Sequence, residues 1–276
     1  MRLRKLFGKI KLMIERGENV SQLLFETENH IATLTIKSPP ANALSSRLLE
    51  ELSSTLDKIE SDSTIKVVVL KGEGRFFSAG ADIKEFTSLQ SASDTEQLAI
   101  NGQTLFDRIE QFSIPIIASI HGAALGGGLE LAMACHMRIV TKDAQLGLPE
   151  LTLGIIPGFA GTQRLPQFVG MAKAYEMILS GRPITGQAAA EKGLANIAVA
   201  EDELESTTAS LAKSIAAKSK PSIESVMALI PYAKTSQFAD GVKKEAELFG
   251  KVFTTEDAKE GVQAFIEKRQ PNFQDK

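Results

Sequence analysis

ASIHGAALGGGLELAMACHMRIVTKDAQLGLPEL, residues 118–151, is the stretch from which the fold is read. An apolar, strand-like run from Pro115 to Ile120 feeds into His121-Gly122-Ala123-Ala124. Gly126-Gly127-Gly128 follows, then an apolar helical run carrying one carboxylate, Glu130. A second carboxylate, Glu150, comes directly after Leu148-Pro149. Three consecutive glycines leave backbone N–H groups open to close approach, because no Cβ shields them. A helix starting there aims its unpaired N–H groups and the positive end of its dipole at whatever lies above. The arrangement suits an anion formed during a reaction, with an acid/base carboxylate beside it.

Working outward, the chain from Leu23 reads as repeated strand-strand-helix units. Leu24–Glu26 and Ile31–Ile36 are expected to form a hairpin about Glu28-Asn29, and Ser38-Pro39-Pro40 ends it. Ser45 is expected to cap a helix to Glu60, with Leu48, Leu49, Leu52, Leu56 and Ile59 on one stripe. Val67–Leu70 is a buried strand by its continuous apolar, β-branched character. It leads into a second turn of small residues, Ala79 to Asp82, with Asp82 placed to cap a helix beginning Ile83-Lys84-Glu85-Phe86. Residues 87–97 are small and polar and suit either a mobile cover or an ordinary solvated loop. A helix is expected over Asp94–Gln111, and a glycine-rich turn over Gly154–Gly161. Two short helices are expected at 171–180 and 186–193. The chain is read as wholly helical from Asp202, with Pro221 and Pro231 near breaks. The division is therefore a basic extension 1–20, an α/β core 21–205 and a helical region 206–276.

Composition narrows the function classes. The chain has 276 residues, enough for a sizeable core, and a net charge of −3 gives no overall attraction to nucleic acid. No apolar run reaches membrane-span length. The lone Cys135 excludes an intramolecular disulfide; set in an apolar run, it reads as a buried structural thiol. A cytoplasmic protein without a secretory signal is expected. The first twenty residues place Arg2, Arg4, Lys5, Lys9, Lys11 and Arg16 among apolar residues at near-helical spacing. They are read as a dispensable extension, with a membrane-surface or targeting helix as the alternative. His30, His121 and His136 lack a paired metal-ligand spacing, so no metal is expected. Gly126-Gly127-Gly128 does not fit a dinucleotide fingerprint, and no nucleophile elbow is present.

Five motifs in order resemble the crotonase, or enoyl-CoA hydratase/isomerase, superfamily. They are Ser38–Leu44, Phe77–Ile83, His121–Leu131, Leu148-Pro149-Glu150, and Ile156–Gly158 through Arg164-Leu165; the ending Phe265–Phe273 is also similar. The resemblance covers Leu23 to Phe273. It implies a spiral of strand-strand-helix turns followed by a helical trimerisation region, acting without a cofactor on acyl-CoA thioesters as a homotrimer or dimer of trimers. By position, the N–H groups of Ala81 and Gly127 would form an oxyanion hole, and Glu130 and Glu150 would be the catalytic pair. Arg75, Ala79, Ile83 and Lys84 would meet the CoA nucleotide, and Gly158 would border the site. Leu148 stands where many short-chain hydratases carry glutamine, which leaves the acyl group open. Two carboxylates favour hydration of a 2-enoyl-CoA to a 3-hydroxyacyl-CoA. A 3-enoyl-CoA isomerase or a dehydratase of another acyl-CoA is the alternative. Outside enzymes, the rival is a binding protein using the basic N-terminus.

Overall fold

Strands β1 (Leu23–Glu28) and β2 (Ile31–Ile36) pair antiparallel, and the turn between them is made by Asn29 and His30, with φ of 51° and 66°. Two left-handed residues match the twist of a two-residue hairpin. The turn falls one residue later than expected because His30, an unusual residue in that conformation, takes the place glycine normally holds. The computed structural model describes residues 21–82, 85, 91–233 and 235–276. The extension 1–20 and the expected helix beginning at Ile83-Lys84 lie outside the described residues.

Helix α1 (Ser46–Ser61) begins as expected: the Ser45 hydroxyl accepts from the Leu48 N–H, and the predicted leucine–isoleucine stripe is buried. Strand β3 (Val67–Gly72) then lies parallel to β2. Helix α2 (Ala92–Glu110) starts earlier than expected, because Ser91 accepts from the Asp94 N–H and caps it. Residues 92–97 are therefore helical rather than a mobile cover; 87–90 lie outside the described residues.

Strands β4 (Ile116–Ile120), β6 (Met137–Thr141) and β9 (Ile197–Val199) complete a six-stranded sheet in the order β1-β2-β3-β4-β6-β9, parallel except for the hairpin. A smaller sheet joins β5 (Ala123–Leu125) in parallel to β7 (Gln145–Gly147), which pairs antiparallel with β8 (Ile184–Thr185). Between β5 and β6 runs α3 (Gly127–Ala134), every residue of which is buried. A helix apolar on all sides belongs in the middle of a core. Against it packs α4 (Gly161–Val169), with α5 (Met171–Ser180) resting on α4 and α6 (Gly186–Glu191) lying beside β6, β7, β8 and β9.

The sheet's other face is covered by α7 (Leu204–Ala216): Leu204, Ala212 and Ala216 meet Val67, Val69, Ile117 and Ile139. The packing of the sheet thus continues to Ala216. Beyond it, α8 (Lys220–Leu229) buries no residue fully, and α9 (Phe238–Phe253) and α10 (Glu256–Glu267) bury only Gly241 and Asp257 with Ala264. These helices leave Phe249, Phe253, Phe265 and Ile266 at the surface.

Cys135 is buried and unpaired as expected; burial pushes its thiol up to about 12, so it is not a reactive thiolate. Among the described residues no helix is long and apolar enough to cross a membrane.

Candidate active site

Parallel β3 and β4 end side by side, and the chain leaving each makes a turn of small residues. The turns are joined by a bridge between Ser78 and Ala124, through Ser78 N–H to Ala123 O at 3.1 Å and Leu125 N–H to Ser78 O at 3.0 Å. The Ala79–Asp82 turn is anchored on its other side by a bridge between Leu44 and Ala81. Gly126 has φ 52° and ψ −128°, a region closed to a residue with a side chain, and it turns the chain from β5 into α3. A Cβ placed on Gly128 would run into Ser78, so the start of α3 can seat against the first turn only as glycine.

That close seating brings Gly127 and Ala81 together: a Cβ on Gly127 would lie 3.2 Å from the Ala81 nitrogen. Among the described residues, neither N–H donates to another group. Buried N–H groups are nearly always paired, so two open ones at one point form a receptor for an oxygen carrying negative charge. The sequence motif alone could not show that the two turns meet; the Ser78–Ala124 bridge is what makes them meet.

Glu130 sits one turn into α3 and is 1% exposed. Its Oε1 accepts from the N–H groups of Phe159 and Gly161, both at 2.8 Å. Those donors come from the turn into α4, where Ala160 adopts φ 68°. Successive N–H groups around a left-handed residue make a concave anion seat. Gly161 lies so near that a Cβ there would be 2.8 Å from the same oxygen. Burial lifts Glu130 to about 7; the Glu150 carboxylate adds to the rise, while the two N–H groups and Arg164 pull against it. Desolvation wins over both hydrogen bonds, and the result is a carboxyl group that exchanges its proton near neutrality.

Glu150 arrives from β7. The Gly126 N–H donates to Gly147 O at 2.9 Å, so Leu148-Pro149-Glu150 is delivered beside Gly126. A Cβ on Gly126 would lie 3.1 Å from Glu150 Oε1. Glu150 is 9% exposed, burial raises its carboxyl above the ordinary range, and its Oε2 is buried without a hydrogen-bond partner among the described residues. Burial thus makes Glu150 hold a proton more tightly than an exposed carboxylate does, and when protonated it has one O–H to give.

Four of the sequence-selected residues, Ala81, Gly127, Glu130 and Glu150, thus gather around one point. Gly158 adjoins them: it precedes Phe159 and its carbonyl accepts from Gln103 at 2.8 Å. Arg75 and Ala79 lie exposed on the chain entering the first turn, with the Arg75 guanidinium 4.9 Å from the Phe76 ring centre. Ile83 and Lys84 lie outside the described residues. His121 has a structural task, holding Gly74 O at 2.8 Å. Among the described residues no group of three or more His, Cys, Asp or Glu could hold a metal ion.

Sequence reasoning missed Phe159, Gly161 and Arg164 as parts of the site. Arg164 is 4% exposed, forms ion pairs with Asp107 and Glu110 of α2, and donates to Phe159 O at 3.0 Å. It therefore fixes the turn that holds Glu130. The available signal was Gly158-Phe159-Ala160-Gly161 before a helix, a third small-residue turn like the other two.

The family model for enoyl-CoA hydratase/isomerase matches residues 26–276. A Bacillus subtilis (strain 168) protein named as a probable enoyl-CoA hydratase is 58% identical over 248 residues, covering 89% of this chain and 96% of that one. A short-chain-enoyl-CoA hydratase of Clostridium acetobutylicum is 38% identical over 252 residues, covering 91% and 96%. The crystal structure of an enoyl-CoA hydratase from Bacillus anthracis superimposes with a TM-score of 0.88 at 36% identity, covering 93% of this chain and 100% of the other.

Proposed function

The chain belongs to the enoyl-CoA hydratase/isomerase family and is an enoyl-CoA hydratase with the crotonase fold, and we propose that Glu130 and Glu150 carry its reaction beside the N–H groups of Ala81 and Gly127. The substrate is an acyl-CoA thioester, and the reaction is one of fatty acid metabolism. What carries the residue assignment is a single arrangement: two buried carboxylates with raised proton affinity facing two open N–H groups.

In the proposed mechanism the thioester oxygen accepts from Ala81 and Gly127. When water attacks the β-carbon, negative charge moves onto that oxygen, and each donor contributes roughly 2.7–4 kcal/mol to the transition state. Glu130 takes the proton from water and Glu150 gives its proton to the α-carbon. The O–H bond of water breaks as the C–O bond forms; the product is the 3-hydroxyacyl thioester. Exchange with solvent then returns the pair to its starting protonation. Nothing in these steps needs a metal or a redox cofactor. Arg75, Ala79, Ile83 and Lys84 are assigned to the CoA portion, and Gly158 to the edge of the reacting site. The exposed aromatic residues of α9 and α10 support a homotrimer, alone or paired into a hexamer, and a cytoplasmic location is the working assignment.

The test follows loss of the conjugated thioester absorbance with 2-enoyl-CoA and double-bond migration with 3-enoyl-CoA, for wild type, Glu130→Gln and Glu150→Gln. A hydratase using both groups loses about 10²–10⁴-fold in kcat from either change. Fast isomerisation with negligible hydration, and tolerance of one replacement, would instead assign an isomerase on the same fold.

A further inference from the structure

Phe159 contributes more than its backbone. Its ring is 5% exposed and fills the space between α2 and the start of α3. Toward α2 it meets Phe106 edge-on, with ring centres 5.3 Å apart at 74°, and it lies so close to Gly102 that a Cβ there would run into it. Toward α3, a Cβ on Gly127 would lie 3.3 Å from two carbons of the ring and 3.2 Å from the Ala81 nitrogen. One point in space therefore borders both the open N–H of Ala81 and the edge of the Phe159 ring.

A carbonyl oxygen received by Ala81 and Gly127 would have this ring as its neighbour. The ring does not behave as a gate. Its own N–H is held by Glu130 at 2.8 Å and its carbonyl by Arg164 at 3.0 Å, so the main chain on both sides is pinned. Gly102 supplies the complementary small residue: the helix gives up a side chain and the ring takes that volume.

We propose that Phe159 is a specificity-determining residue that confines the enzyme to short 2-enoyl-CoA thioesters, by filling with its ring the space between the oxyanion-binding turn and α2 that a longer acyl tail would occupy. This rests on the hydratase assignment above. Each methylene buried in an apolar pocket is worth about fourfold in affinity. Removing the ring to make room for two or three methylenes should therefore shift relative preference by roughly 15- to 60-fold.

The experiment measures kcat/KM of wild type, Phe159→Leu and Phe159→Ala on straight-chain 2-enoyl-CoA esters of four, eight and twelve carbons. Only the ratio of long to short substrate within each protein is read, so a general loss of rate cancels. Affinity for the saturated butanoyl- and octanoyl-CoA esters, by calorimetry, gives the same ratio without turnover. The expected result is a steep fall from four to eight carbons in wild type, relieved more than tenfold in Phe159→Ala and partly in Phe159→Leu. Eight-to-four ratios that stay within threefold of wild type in both variants would overturn the proposal, as would a wild type that treats four and twelve carbons alike. The wild-type rate on the four-carbon ester separates this failure from the other: a folded wild type that hydrates none of the esters overturns the hydratase assignment, and this inference with it.

Discussion

Replacing Glu130 with Gln should lower kcat by about 10²–10⁴-fold and, above neutral pH, make the protein more stable. The carboxyl group is 1% exposed, and burial raises it from 4.5 to about 7. A raised pKa means that the folded protein keeps a proton which the unfolded chain releases. The stability from this group is fully present below about pH 4.5 and is lost as pH rises through 7. At about 1.4 kcal/mol per pKa unit, the loss comes to about 3 kcal/mol. Gln keeps an oxygen to accept from the Phe159 and Gly161 N–H groups and cannot ionise, so the variant escapes the loss. The assay is urea unfolding at fixed protein concentration between pH 5 and 8. It is followed by far-ultraviolet circular dichroism, since the chain has no tryptophan to report by fluorescence. The two proteins should be within about 1 kcal/mol at pH 5 and diverge to about 3 kcal/mol in favour of Glu130→Gln at pH 8. Taking the difference removes every other titrating group they share. Parallel stability curves across this range, or a variant weaker at pH 8, would refute the account of a carboxyl group held above its ordinary pKa.

Hydration rate should also follow the protonation of Glu130: kcat/KM should rise with pH through about 7 as this group becomes able to take a proton; a profile flat from 6 to 8 would remove Glu130 as the base. Gly127→Ala should cut kcat by roughly 10²–10³-fold without unfolding the protein, because the added Cβ enters the oxygen-binding gap 3.2 Å from the Ala81 nitrogen; near-normal turnover would show that the oxygen binds elsewhere. Ala160→Gly should leave the fold intact and raise stability by up to about 1 kcal/mol, since φ of 68° strains a residue with a Cβ; a measured loss of stability would count against strain at that turn. Light scattering at micromolar concentration should give a trimer or a multiple of it, and a monomer would leave the surface Phe249, Phe253, Phe265 and Ile266 unexplained.

Much of the fold was legible because it depends on local chemistry. Ser45 with its leucine stripe, the all-apolar strands β3 and β4, and the glycine run before Glu130 each carry a signal within a few residues. The misplacements have local causes too. Ser91-Ala92-Ser93-Asp94 is a helix-start signature, yet its polarity resembles that of a loop, so α2 was read as starting late. The short strand Ile197–Val199 has only three residues, too few for a period to show. The site was legible in its parts but not in its assembly. Glu130 and Glu150 could be named, whereas the meeting of Ala81 with Gly127 depends on the pairing of β3 with β4 and of Ser78 with Ala124, contacts between residues far apart in sequence.

Why the site needs three turns, when two would supply the oxygen-binding N–H groups, follows from the energetics of Glu130. A carboxyl group buried on the first turn of an all-buried helix gains little from the dipole alone, roughly 0.3–1 kcal/mol, against a desolvation cost several times larger. Without further donors it would remain protonated well above neutral pH and be useless as a base. The Phe159–Gly161 turn adds two charge-assisted bonds, worth roughly 1.5–3 kcal/mol each, which bring the group back to about 7. That turn must itself be held rigid, and Arg164 does so by tying Phe159 O to Asp107 and Glu110 on α2. The third turn is therefore the element that tunes the base, and the same Phe159 that tunes it through its N–H borders the acyl group with its ring. Proton affinity and chain-length preference are coupled at one residue, the first through a backbone atom and the second through a side chain. Side-chain substitution should consequently change substrate choice while leaving the two N–H contacts to Glu130 in place.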